Sequence, residues 1–324
     1  MKPNARFNNS EKISGYVYST GSNFNQLSER VSGENSKNPG TKYIAGDLDV
    51  AVDEAGLNVV TVHFRYVGET TSKGNVNLTY IALKKIIDNP DKTWITGGKD
   101  NAIKVLITGV AIAANDFIGS DGSPVVAIRN ENGFVSIVDE LDPEVERNTF
   151  IADILITKVT RIEADPERNI EEDYDIVNGA IFGYGATPVL IPVSFVVRNA
   201  GGIKHFESLD ASGGNPIFTK VWGRVNCMTK KVEKVEESAF GEASVQTYER
   251  KQREYLITGT SKVPYDFGDP DVLTIEDVNK MTQDRQIMLA EVKKRYEDRK
   301  AAKASGGGNT FNPVAQIPTG GFTF

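Results

Sequence analysis

The chain has 324 residues, of which 39% are hydrophobic and 25% are charged, and its formal net charge is −7. This length predicts about two domains, and this composition excludes a disordered or fibrous chain. One cysteine and two histidines exclude an intramolecular disulfide and a Cys/His zinc site. No apolar run reaches about 18 residues and the start of the chain is polar, so we expect no membrane span, no secretory signal and a cytoplasmic location.

The first half of the chain is rich in strand signals, which are runs of β-branched and aromatic residues bounded by Gly, Asn, Asp or Pro. A helical period interrupts them over Asn75 to Asp88, where Asn89-Pro90 ends the helix. The predicted strands are Ile13 to Ser19, Tyr43 to Val52, Asn58 to Val67, Ile103 to Ala111, Val125 to Arg129 and Phe134 to Val138.

A similar order of elements returns in the second half, with a short helix predicted around Ile203 to Leu209. The predicted strands are Phe150 to Ile162, Asp175 to Phe182, Pro188 to Arg198, Phe218 to Met228 and Val245 to Lys262. The chain therefore uses one plan twice, with little identity between the two copies.

Three strands, a helix and two more strands is the order of the OB-fold, a five-stranded Greek-key barrel. We therefore expect a mainly β protein with two tandem OB-like barrels, a C-terminal α-helix and a flexible tail. The predicted limits are residues 1–145, 146–268, 269–305 and 306–324. A pair of antiparallel β-sandwiches has a similar strand count and stays open as an alternative.

The predicted C-terminal helix begins at Thr274, a near match to a capping box, and extends to Ser305. Its apolar residues lie along one side, and its other positions are highly charged. We expect this apolar stripe to pack on the second domain, with a partner helix as the alternative.

Sequence signals for catalysis are absent. The glycine cluster Gly183-Tyr184-Gly185 lacks the Lys and Ser/Thr of a phosphate-binding loop, and Cys227 lies in a strand, where a lone cysteine is usually inert packing. Asp47 and Asp49 share a strand face, but two carboxylates are weak evidence for a metal site. We therefore expect neither an enzyme nor a cofactor or metal site.

The most informative segment is the predicted strand around Trp222. Alternation places Lys220, Trp222 and Arg224 on one face, and the small apolar residues between them on the other. A cation, an aromatic ring and a second cation can hold single-stranded nucleic acid, because bases stack on the ring and phosphates meet the charges. The alternative is a half-buried Trp222 with solvated charges.

A second basic and aromatic set follows in the next strand. From Thr219 to Lys262 the chain has nine Lys/Arg against six Asp/Glu, so we expect a nucleic-acid face there. Its candidate residues are Tyr248, Arg250, Lys251, Arg253 and Tyr255. Alternation places Lys251, Arg253 and Tyr255 on one face of the strand. In the first domain Arg65 and Lys73 are weaker candidates, and we expect Phe64 and Tyr66 to be core residues.

The overall negative charge does not oppose this interpretation, because it is concentrated in one region. Residues 130–175 contain fourteen Asp/Glu against four Lys/Arg, a local charge of −10, so the rest of the chain carries +3. Binding to phosphates depends on local cation density rather than on the total.

After Gly306-Gly307-Gly308 the chain continues without a charged residue to Phe322 and Phe324. With the OB-like order and the Lys220 to Val225 strand, this end resembles the single-stranded DNA-binding proteins of tailed bacteriophages. Bacterial members of that family end in an acidic stretch and Asp-Ile-Pro-Phe. Here Ile317-Pro318 and a final phenylalanine are present, whereas the acidic residues are not.

The resemblance implies a protein that coats and protects single-stranded DNA during DNA replication, recombination or repair, in the host cytoplasm if it is viral. It also implies that Phe322 and Phe324 dock on a replication or recombination protein, although the tail could instead fold onto the protein's own groove. The alternative class is a β-rich virion structural or assembly protein. An assembly protein would bury Trp222 in a subunit contact, whereas a strand-binding protein leaves it in an open, basic groove.

Overall fold

The computed structural model of the chain describes residues 7–119, 121–168, 170–184, 189–236, 244–267 and 273–304. Within these ranges it describes only the backbone of residues 168, 228–236, 244–252 and 303–304. The strands are β1 (Asn9–Ser19), β2 (Ser28–Val31), β3 (Lys42–Ala51), β4 (Val59–Gly68), β5 (Lys104–Ala114), β6 (Phe117–Ile118), β7 (Pro124–Val125), β8 (Ile128–Glu131), β9 (Phe134–Ile137), β10 (Asn148–Ile162), β11 (Tyr174–Phe182), β12 (Leu190–Val197), β13 (Ile217–Glu236) and β14 (Ser244–Thr260). The α-helices are α1 (Leu78–Ile87), α2 (Trp94–Gly97), α3 (Ala200–Glu207) and α4 (Ile275–Ala304), with short 3₁₀ turns at Lys99–Asn101, Glu144–Glu146 and Pro166–Arg168.

The first barrel has the strand order β1-β3-β4-β8-β5 and closes because β5 also pairs with β1. Its neighbouring strands are antiparallel except for the parallel pair β4 and β8. Helix α1 lies between β4 and β5 in the chain. This is the predicted OB-like order of strands and helix. The strands β2 and β9 and the hairpin β6–β7 are additions to it.

The second barrel repeats the plan with the order β10-β11-β12-β14-β13, closed by the pairing of β13 with β10. The pair β12 and β14 is parallel, and α3 lies between β12 and β13 in the chain. The prediction of two tandem OB-like barrels followed by a helix is therefore confirmed. The predicted domain limits stay a prediction, and the predicted tail, 306–324, lies outside the described residues.

The interior of each barrel is lined by alternate residues of its strands, as for Val60, Val62 and Phe64 of β4, which are fully buried. The alternation predicts that Tyr66 continues this core, but its side chain is 47% exposed. The reason is a β-bulge: Ile44 pairs with Val67 and Gly46 with Phe64, so one residue of β3 opposes two of β4. The extra residue turns Tyr66 outward.

The two barrels are joined by direct strand pairing between β1 and β10, from Asn9 opposite Ala152 to Ile13 opposite Asn148. One sheet of twelve strands therefore runs through both barrels. Backbone hydrogen bonds across the junction fix the register of one barrel against the other.

A buried polar cluster reinforces this junction. The Tyr255 hydroxyl donates to Oε1 of Glu11 at 2.9 Å, Asn130 Nδ2 donates to the other carboxylate oxygen at 2.9 Å, and Arg253 donates to Asn130 Oδ1 at 3.0 Å. Burial raises the pKa of Glu11 and the pKa of Tyr255, so the phenol keeps the proton that it donates. The four side chains come from β1, β8 and β14, and so they connect the barrels.

Helix α4 packs against the outside of the second barrel. Val278 and Met281 pack with Phe182, Leu190 and Phe218 in a second apolar cluster. The buried Arg285 makes a bidentate ion pair with Asp116 of the first barrel. The first half of the helix thus packs on its own chain, as the apolar stripe predicted.

We predict that Tyr255→Phe lowers the free energy of unfolding by about 1 to 3 kcal/mol, because it leaves buried hydrogen-bonding groups of Glu11 and Arg253 without this partner. Urea denaturation at neutral pH measures the loss. Tyr18→Phe is the matched control, since no hydrogen bond of the Tyr18 hydroxyl is described. Equal stability of the two variants would show that the cluster does not stabilise the junction.

Candidate nucleic-acid interface

The strand β13 has the two faces that its sequence predicts. Val221, Gly223 and Val225 point into the barrel and are buried, whereas Trp222 is 41% exposed on the outside. Lys220 and Arg224 lie on the same outer face as Trp222. Neither makes an ion pair with the side chains that the structure describes, although Asp153 lies opposite Lys220 and the carboxylates of Asp53 and Glu144 line a pocket with Arg224.

A glycine on the neighbouring strand determines how the Trp222 ring lies. Trp222 pairs with Gly259 of β14, and a Cβ atom placed on Gly259 would collide with the indole ring. The ring therefore lies over the glycine backbone, where any other residue would place its side chain. The Nε1 side of the indole lies against Gly259, and about two fifths of the side chain stays open to solvent.

The outer surface continues from β13 across the junction onto the first barrel. Trp222 lies beside Ile151 of β10, which is 37% exposed, and Ile151 lies beside Ser10 of β1. The next row joins Arg224 through Thr149 to Lys12, whose ammonium pairs with Asp142 at 3.2 Å. We call Lys220, Trp222, Arg224, Ile151 and Lys12 the Trp222 face.

Two residues of the predicted second set lie elsewhere. Tyr255 is only 3% exposed, and Arg253 reaches into the buried cluster at the junction. Their strand partners explain this, because Val225 opposite Tyr255 and Cys227 opposite Arg253 also point inward. The expectation that Arg253 and Tyr255 belong to an exposed face with Lys251 is therefore wrong for these two residues.

Arg253 and Tyr255 line instead a cleft of about 470 Å³ between the barrels. The other walls come from β4, the segment before β8, and β12. Tyr248, Arg250 and Lys251 belong to the part of β14 whose side chains the structure does not describe. Phe322 and Phe324 lie outside the described residues, so their roles stay predictions.

The two weaker candidates of the first barrel differ from each other. Arg65 pairs with Glu131 at 2.6 Å, and it shares this carboxylate with Arg129, so the three side chains keep a net positive charge. Lys73 lies exposed in the turn before α1, far along the chain from Trp222, and has no described ion pair. The structure therefore does not unite Arg65 and Lys73 with the Trp222 face into one continuous cationic surface.

Sequence reasoning missed an aromatic pair on the first barrel. The rings of Tyr43 and Tyr66 stack with centroids 4.5 Å apart and an interplanar angle of 20°. The exposed Arg30 of β2 lies opposite Tyr43. The only signal in the sequence is the break in alternation at Arg65-Tyr66-Val67, which marks the bulge.

Asp47 and Asp49, which share a strand face as predicted, are engaged with neighbouring side chains. An oxygen of Asp47 lies 2.7 Å from His63 Nδ1. Asp49 accepts hydrogen bonds from the hydroxyl groups of Ser19 and Thr61 at 2.6 and 2.5 Å.

Among the described residues, no three His, Cys, Asp or Glu side chains are grouped so that they could hold a metal ion. Within the same residues, no helix is long and apolar enough to cross a membrane.

A family model described as YorF matches residues 23–295 of the chain. The chain belongs to the YorF family. No curated protein matches the sequence. Among solved structures, the chain is similar to the wild-type single-stranded DNA binding protein from Thermus aquaticus, with 10% identity and a TM-score of 0.42, over 81% of this chain and 96% of that chain.

The match to the YorF family covers the second barrel, the first barrel except for β1, and most of α4. It includes the complete Trp222 face except Lys12. The YorF description states no ligand or activity, so the chemistry of this face has to be argued from its residues.

For this YorF-family chain we predict that Gly259→Val displaces the Trp222 ring, because the new side chain occupies the space in which the indole lies. In a Trp94→Phe background, acrylamide quenching of the remaining tryptophan should increase. Thr258→Val, a substitution at the exposed neighbouring position, should leave quenching unchanged. Unchanged quenching in the Gly259 variant would contradict the position of the ring.

Proposed function

We propose that the protein binds single-stranded DNA with little sequence preference, and that it coats and protects such strands during DNA replication, recombination or repair. The observation that carries the proposal is the Trp222 face, a half-exposed indole on a strand between two cations that make no described ion pair. Every base has a ring face that can stack on an indole, and every phosphate can pair with Lys220 or Arg224.

The position of Trp222 favours binding over packing. Its ring lies against the backbone of Gly259, which limits the orientations that the ring can adopt before a ligand binds. A preorganised aromatic side chain loses little conformational entropy on stacking, which increases the net affinity. The neighbouring Ile151 extends the apolar surface to a second exposed side chain.

The first barrel offers a second place for stacking. The Tyr43–Tyr66 pair lies on β3 and β4, which are the second and third strands of the barrel order, and this is the face through which OB-folds bind oligonucleotides. Arg30 beside the pair supplies a cation. A strand long enough to contact both barrels could therefore stack on each of them.

The experiment that tests the proposal is titration of tryptophan fluorescence with oligo-dT of about 30 nucleotides at two salt concentrations. We expect quenching with an affinity that falls as salt increases, because phosphate contacts release counterions. Absence of both quenching and a mobility shift at low salt would overturn the proposal. Duplex DNA of the same length is the control for non-specific attraction.

We predict that Trp222→Ala weakens oligo-dT binding by about 1 to 3 kcal/mol, the contribution of one base–aromatic stack, with little change in stability. Trp94→Phe is the control, since Trp94 packs with Tyr16 and Gly56 away from β13. If Trp222→Ala left affinity unchanged but altered the oligomeric state, Trp222 would be a subunit contact and the virion-assembly alternative would be favoured.

We also predict that the double variant Lys220→Gln, Arg224→Gln lowers the dependence of log affinity on log salt by about 1.4, since each phosphate contact to a single strand contributes about 0.7. The measurement is oligo-dT affinity at four or more salt concentrations. The matched control is Lys85→Gln with Lys92→Gln. Both lysines are exposed; Lys85 lies in α1 and Lys92 lies between α1 and α2. An equal slope in both double variants would show that the Trp222 face does not contact phosphates.

A further inference from the structure

The second half of α4 extends an apolar stripe for which the described residues of the chain supply no cover. In the first half, Val278, Met281 and Arg285 are buried against the barrels. From Gln286 to Ala302 every side chain is exposed or only partly buried. Met288 and Tyr296 are among the exposed large hydrophobic residues.

Helical geometry places the second half of the stripe in line with the first. At 100° per residue, Met288, Leu289, Val292 and Tyr296 lie in the same sector as Val278, Met281 and Arg285. The cations Lys293, Arg295, Arg299 and Lys300 fall within or beside this sector, whereas Glu297 and Asp298 fall on the far side. The uncovered part of α4 is therefore an apolar stripe with a cationic rim, which we call the α4 stripe.

A surface of the opposite charge lies on the second barrel, in the loop of residues 163–173 that joins β10 to β11. This loop contains six Asp/Glu and one Arg. Glu163, Glu167 and Glu171 are exposed and have no described ion pair. Ala164 and Pro166 are exposed between them, so the acidic loop also offers apolar surface.

These two surfaces do not neutralise each other within one chain. The acidic loop adjoins Tyr174 at the beginning of β11, whereas α4 packs on Phe182 at its end. Nine residues of strand separate these points by about 30 Å, at roughly 3.3 Å per residue. No ion pair joins α4 to this loop among the described residues.

We propose that the α4 stripe of one copy of this chain docks on the acidic loop of a second copy. Each copy carries both surfaces at different places, so the contact is head to tail and can repeat along a row of copies. The cations meet the unpaired carboxylates, and the apolar stripe meets Ala164 and Pro166. A nucleic acid would satisfy the cations and could stack a base on Tyr296, but it offers no aliphatic surface for Met288 and Val292, so a second copy fits the α4 stripe better.

The test is a charge swap in the full chain, followed by light scattering of the purified protein without DNA. The helix variant carries Lys293→Glu, Arg299→Glu and Lys300→Glu. The loop variant carries Glu163→Lys, Glu167→Lys and Glu171→Lys, and a third protein carries all six substitutions. The control is Lys85→Glu with Lys92→Glu, which reverses two exposed lysines outside both surfaces.

We expect the wild type to associate at low salt and to dissociate at high salt, because exposed ion pairs are screened. The helix and loop variants should each associate at least tenfold more weakly than the control, and the six-substitution protein should regain association. A mixture of the helix and loop variants should associate as well.

A monomeric wild type at low salt, or a six-substitution protein as weak as the single-surface variants, would overturn the proposal. Loss of oligo-dT affinity in the helix variant with unchanged association would show that the α4 stripe binds nucleic acid instead. Because association is measured without DNA, its outcome is separate from that of the proposed strand binding.

Discussion

The pairing of β1 with β10 is the interaction on which the rest of the structure depends. It joins one strand of each closed barrel through backbone hydrogen bonds, so the register of this pairing sets the relative position of the barrels. The buried cluster of Glu11, Asn130, Arg253 and Tyr255 fits only that register, because its members come from both barrels. A one-residue slip of β1 would turn Glu11 to the opposite face of the sheet.

The same pairing produces the candidate interface. Rows of outward side chains continue from β13 through β10 to β1, so Trp222 and Arg224 share one surface with residues of the first barrel. The acidic region of residues 130–175 also reaches this surface, since Asp142 pairs with Lys12 and Asp153 lies opposite Lys220. Gly259 completes the site by leaving space for the indole to lie along the strand.

Some of the charged side chains of this protein are paired with each other, and others have no described partner. Carboxylates on the outer face of the first barrel are paired with His63, Arg65 and Arg129, and those at the base of the second barrel pair in part with Arg161 and Arg198. Charges without a described ion pair include Lys220 and Arg224 on the Trp222 face, Glu163, Glu167 and Glu171 on the acidic loop, and Lys293, Arg299 and Lys300 on the second half of α4. These are the surfaces for which we propose ligands.

The sequence by itself determined the order of strands and helices, because hydrophobic period and Gly, Asn and Pro boundaries act locally, and that order predicted two OB-like barrels. It also determined that Lys220, Trp222 and Arg224 share a face, since Val221, Gly223 and Val225 are suited only to the interior. For Lys251, Arg253 and Tyr255, alternation again predicted a shared face but could not indicate which one, because the residues between them are polar as well. Only the tertiary structure decided that Arg253 and Tyr255 point inward, opposite Cys227 and Val225. Likewise, the bulge that exposes Tyr66 and the glycine beneath Trp222 depend on which residue of a distant strand lies opposite, and a local pattern contains no record of that pairing.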